Sequence, residues 1–96
     1  MLEKLKIAGF DVVVRISDKL IPDRGNWGEY CPRDKTISID KSITGVQQLK
    51  ETFLHETLEA INEIYGVDLE HDDLKLLSKA LHQVMVDNDL SFIRGS

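Results

Sequence analysis

The hydrophobic period changes once along this chain, near residue 40, and that change constrains the fold more than any other feature. Before it, β-branched residues gather in FDVVVRIS, residues 10–17, and alternate in KTISID, where Ile37 and Ile39 interleave with Thr36, Ser38 and Asp40. Such alternation marks a strand with one buried face. After it, apolar residues recur at helical spacing in two stretches separated by Gly66. Strands first and helices second predict an α+β domain: a small antiparallel or mixed sheet of about three strands, then two long packed helices. The 96 residues suffice for one domain, 1–96, with strands over about 10–40 and helices over about 45–66 and 70–89.

Local signals refine this outline. GEYCPRDKTISID reads as a hairpin whose tight turn uses Pro32, Arg33, Asp34 and Lys35. LIPDRGNWG, with Pro22, Gly25, Asn26 and Gly28, reads as a loop, and Trp27 is expected to fold back on the core. The opening LEKLKIAG leans towards a short helix, and the closing IRGS towards a frayed end. Thr44 and Gln47 have capping-box spacing, placing the first helix start near residue 45. Gly66 is a natural stop, and acidic residues in the first turn of the second helix suit the positive end of its dipole.

Composition removes several classes of function. A net charge of −5, with twelve scattered basic residues against seventeen acidic ones, argues against nucleic acid as a partner. Trp27, Tyr30 and Tyr65 fall on different elements without basic interleaving, so they form no base-stacking platform. No stretch approaches the ~20 apolar residues of a membrane span, and none reads as a signal peptide. Cys31 is the single cysteine, so no internal disulfide forms; a cytoplasmic location is expected, and a strand or turn role for this thiol.

The stretch FLHETLEAINEIYGVDLEH carries the chemistry. At ~100° per residue, Phe53, Leu54, Leu58, Ala60, Ile61 and Ile64 lie on one half of the first helix, and Thr52, His55, Glu56, Glu59, Asn62 and Glu63 on the other. His55 and Glu59 stand one turn apart, the spacing by which two ligands on adjacent turns hold one ion. Glu56, beside the first ligand, takes the position of a residue that accepts a proton from a water the ion activates. Carboxylate oxygen is an accepted zinc donor, and His/Glu/His sets occur in catalytic sites. The same residues also make an ordinary solvated face. His71, at the start of the second helix, supplies a third donor if the turn folds it back; in a simple hairpin it would lie beside Ile64, roughly 7 Å from Glu59 at 1.5 Å per residue. His82, three turns further on the same flank, is a reserve candidate.

The order of strands, KTISID and a helix bearing LHETLEAI resembles the zincin-like metallopeptidases of the ImmA/IrrE type found in phages and mobile elements. More narrowly, HETLEAI followed by LEH resembles small phage and prophage proteins with an H-E-x-x-E helix. The resemblance spans roughly residues 25–90, though its specific motif is confined to those two pieces. It implies His55 as first ligand and Glu56 as general base, and an edge strand at residues 36–40 that lines a substrate cleft. It departs from the common pattern at Glu59, where standard members have histidine; His71 as third ligand follows from spacing and the narrower resemblance.

Two functions follow as expectations. One is a zincin-like domain, a minimal metallopeptidase holding Zn2+ through His55, Glu59 and His71 and hydrolysing a peptide or protein substrate, with Glu56 catalytic. The other is an inactive phage or prophage protein-binding module that presents the acidic helix face to a partner.

Overall fold

The computed structural model describes residues 2–18 and 27–93. The expected loop, up to residue 26, and the last three residues of the expected frayed end lie outside them. Four strands precede two helices: β1 Leu2–Ile7, β2 Phe10–Ser17, β3 Gly28–Cys31, β4 Thr36–Asp40, α1 Val46–Tyr65 and α2 His71–Asp87, with a short 3-10 turn at Ser91–Ile93. The domain is therefore α+β, as its periodicity predicts. The sheet is mixed, ordered β1-β2-β4-β3; β1/β2 and β3/β4 are antiparallel hairpins, and β2 runs parallel to β4 between them.

The opening segment is a strand and not the short helix its Leu, Glu and Lys content suggests. Ile7 pairs with Phe10 across a two-residue connection, Ala8 at φ 50° and Gly9 at φ 86°. Positive φ at both positions gives the primed turn that matches strand twist. Pairing with β2 sets Leu5 beside Val12 on the helix-facing side and outweighs local propensity.

The second correction concerns β4. It is an interior strand, flanked by β2 and β3, and not an edge. Ile37 and Ile39 face the helix, yet Ser38 and Asp40 on the opposite face are buried as well. Arg15 donates Nε–H to Ser38 Oγ at 3.2 Å, and Asp40 Oδ1 accepts from the backbone N–H and hydroxyl of Ser42 at 2.8 and 2.6 Å. Buried polar groups at these positions are thus satisfied. The sheet's edge nearest α1 is β3.

Ile7, Val12, Ile37, Ile39 and Ala60 form the core, with Phe53, Ile61 and Ile64 packed against it. Fully buried Ala60 lets α1 lie close over the sheet. Tyr30 Oη donates to Glu63 Oε1 at 2.7 Å and Lys35 Nζ to the same oxygen at 3.0 Å, which ties the β3–β4 hairpin to the C-terminal half of α1. The N-cap of α1 is Gly45 with no side-chain cap bond, so the Thr44/Gln47 box does not form. Gly66 ends α1 in the left-handed region at φ 66°, as its position predicts. Among the described residues no helix is long and apolar enough to cross a membrane.

Candidate metal centre

The two helices bring the expected donors together. Glu59 Oε2 lies 3.3 Å from His55 Nε2 and 2.7 Å from His71 Nδ1, and one ligand atom from each residue falls within 4.8 Å of the others. Donors held tetrahedrally at ~2.0–2.1 Å from one ion stand about 3.4 Å apart. The His55–Glu59 separation already matches that spacing, and the other two need shifts of side-chain size only. The imidazole rings meet edge to face, centroids 5.0 Å apart at 86°.

The turn does what a plain hairpin would not. Gly66 and Asp68 both adopt left-handed backbone, at φ 66° and 67°. Asn62 then clasps the returning chain: its Oδ1 accepts from Leu69 N–H at 2.9 Å and its Nδ2 donates to Leu69 C=O at 3.2 Å. Two left-handed residues and this two-point clamp reverse the chain tightly enough to start α2 at His71, beside Glu59 and not beside Ile64. Asn62 was legible only as part of the polar face; its role depends on a seven-residue separation across a turn.

His55 is held from behind. Ser78 Oγ lies 3.5 Å from Nδ1 and gives its own proton to the Lys75 carbonyl at 2.9 Å, leaving a lone pair towards the ring. A backbone group of Leu74 also hydrogen-bonds the imidazole. Burial pushes the His55 pKa down, more than the nearby Glu59 carboxylate raises it, which favours neutral imidazole. With its proton on Nδ1, the ring points the Nε2 lone pair at the Glu59 carboxylate, 3.3 Å away. Two acceptors facing each other at that distance suit a cation between them, and a ligand histidine whose other nitrogen is hydrogen-bonded is the usual supporting arrangement. This donor set therefore fits zinc. Ser78, seven residues after His71, shares its helix face, a signal that the sequence carried without a reason to use it.

Glu56 sits beneath this group, buried at 7% exposure between α1 and β3. Burial, together with repulsion from Glu59 and Glu29 and against attraction from His71, pushes its pKa up to about 7. Gly28 makes room for it. A Cβ at Gly28 would stand 2.7 Å from Thr52 Cγ2 and 3.0 Å from Glu56 Cγ. The strand position that stands against Thr52 and Glu56 thus has no side chain.

Gly28, Thr52, His55, Glu56, His71 and Ser78 line a cleft of about 550 Å³, with Trp27, Glu51 and Lys75 further along it. Trp27 is 44% exposed and lines this cleft; it does not fold back on the core as expected. The reserve candidate His82 lies apart, in a separate groove with Phe53, Leu54 and Met85. Cys31 closes β3, its Sγ 3.6 Å from Asp34 Oδ2, consistent with a turn role. Set against protein-family models, curated proteins and solved structures, the chain matches none.

Proposed function

We propose that this protein is a zincin-like metal-binding domain that works as a minimal metallopeptidase. The observation that carries the reading is the convergence of His55 Nε2, Glu59 Oε2 and His71 Nδ1 from two helices, with both histidines and the buried carboxyl group of Glu56 lining one cleft. His55, Glu59 and His71 would hold a divalent ion, Zn2+ by the chemistry of the donor set. Bound there, such an ion supplies Lewis-acid polarisation and makes a water acidic enough to attack a carbonyl.

The chain's own residues would do the rest. Glu56, with a pKa near 7, can take a proton from the attacking water and return it to the leaving amine, the match of pKa to operating pH that general acid–base catalysis requires. Its desolvated position keeps bulk water from competing for that proton. The substrate would lie along β3. Trp27 C=O accepts from Asp40 N–H at 2.8 Å, so by strand alternation Gly28 and Tyr30 turn their backbone groups away from β4. Those groups can accept an extended peptide as an added strand above the site. The interior position of β4 removes residues 36–40 from that role. The reading as an inactive module with an exposed acidic face is less well supported, because Glu56 is buried and His55 and Glu59 are largely covered.

The test is hydrolysis of a pool of internally quenched peptides by zinc-loaded protein. Cleavage that chelation abolishes, and that Glu56→Gln lowers by about 100-fold or more while zinc content holds, is the expected result. Equal cleavage by Glu56→Gln, or none by the zinc-loaded chain across the pool, would refute the peptidase reading.

A further inference from the structure

The second helix is built to be covered, and the described residues do not cover it. α2 is amphipathic at helical spacing, with Leu74, Leu77, Leu81, Val84 and Met85 within one arc at ~100° per residue. Of the whole helix only Leu74 and Ser78 are buried. Leu77, Leu81, Val84 and Met85 remain 48%, 42%, 41% and 54% exposed. A helix of this length is marginal in water unless its apolar face is packed. Towards its C-terminus α2 also stands off from α1, leaving a groove of about 530 Å³ walled by Phe53 and Leu54 on one side and Met85 and Val86 on the other.

We propose that a second copy of this chain covers this face, α2 against α2, in a two-fold homodimer. The area reaches the lower end of what is required. At roughly 150–200 Å² for a fully exposed residue of this size, Leu77, Leu81, Val84 and Met85 leave roughly 300 Å² open, and the partly open Phe53 and Leu54 bring the patch to roughly 400 Å². A stable interface takes about 600–1,000 Å² from each partner, and at some 65% apolar the lower bound is again roughly 400 Å².

The pattern is also self-complementary. A two-fold axis beside Leu81 sets Leu77 of each copy against Val84 of the other, the reciprocal contact that an isologous interface requires. Opposed α2 helices run antiparallel there, so their dipoles attract. No charged side chain falls on that arc between Leu77 and Met85; Lys75 and Lys79 lie on the far side of the helix. His71, Lys75 and Ser78 line the cleft and lie on the other side of Leu74 from Leu77, Leu81 and Val84, so a dimer centred on those three leaves both metal centres open. The dimer stands independently of the peptidase reading.

Light scattering coupled to size exclusion, over a dilution series down to a few micromolar, tests it. The expected result is twice the mass of a single chain, with a dissociation constant at or below about 10 µM. Leu77→Glu/Leu81→Glu is expected to raise that constant at least 100-fold while the far-ultraviolet circular dichroism stays native, because both residues are already half open in one chain. Met85→Lys, the most exposed of the four, is the second variant should the double one lose its fold; it is expected to weaken the dimer at least tenfold. Wild-type protein that stays a single chain at about 100 µM overturns the proposal, as does an unweakened dimer in folded variants.

Discussion

Replacing Glu56 with Gln should stabilise the metal-free protein, and increasingly so as pH rises. A carboxyl group whose folded pKa lies above its unfolded one is a group that folding prefers protonated. For Glu56 the two values are about 7 and the ordinary 4.5. Between them the unfolded chain has released its proton and the folded chain has kept it, so stability falls with rising pH. The loss is absent well below pH 4.5, grows through pH 5 and 6, and levels off above about pH 7. At 1.36 kcal/mol per pH unit the gap sets a ceiling of about 3 kcal/mol, and because proteins relax around a buried charge the expected cost is about 2 kcal/mol. Gln is nearly isosteric and carries no charge, so the variant avoids the cost. For a chain of this size about 2 kcal/mol corresponds to a rise in Tm of roughly 10 °C. Thermal unfolding of wild type and variant, in chelator at pH 4.5, 6 and 8, reads the effect directly. The two curves should nearly coincide at pH 4.5 and separate by pH 8. Equal melting temperatures at pH 8, or a difference constant with pH, would refute the claim that burial of an ionisable carboxyl costs this fold stability.

Two further variants probe the scaffold. Gly28→Ala forces a methyl group into contact with Thr52 and Glu56; a loss of about 1–3 kcal/mol in denaturant unfolding is expected, with a shift of the Glu56 titration followed by NMR. Asn62→Ala removes both hydrogen bonds to the Leu69 backbone at a partly wet site; about 1–2 kcal/mol of stability and about tenfold in zinc affinity should be lost, measured by chemical unfolding and by competition with a chromophoric chelator.

What the sequence disclosed tracks the range of the forces concerned. Both helices, the Gly66 stop and the β3–β4 hairpin follow from local periodicity and turn chemistry, and were readable. The strand at Leu2–Ile7 was not, because Leu, Glu and Lys favour a helix and only pairing with β2 decides otherwise. The interior position of β4 was hidden for a related reason: its alternation reports one buried face, while Ser38 and Asp40 are buried by a parallel neighbour more than twenty residues distant. At the site, His55, Glu56 and Glu59 were visible as a spacing. His71 reads as a third donor on condition that the turn folds it back; how the turn does so was not visible, since it depends on Asp68 adopting left-handed backbone and on Asn62 reaching across the turn. Gly28 read as loop punctuation, although its missing side chain is what admits Glu56 beneath the strand.

The most direct measurement is the zinc stoichiometry of protein purified without a histidine tag, by elemental analysis and calorimetric titration, for wild type, His55→Ala, His71→Ala and Glu56→Gln. About one zinc per chain in wild type and in Glu56→Gln, with a loss of at least 100-fold in affinity in both histidine variants, is expected. Wild-type protein that takes up no zinc, or histidine variants that bind it as tightly as wild type, would contradict a metal centre formed by His55, Glu59 and His71.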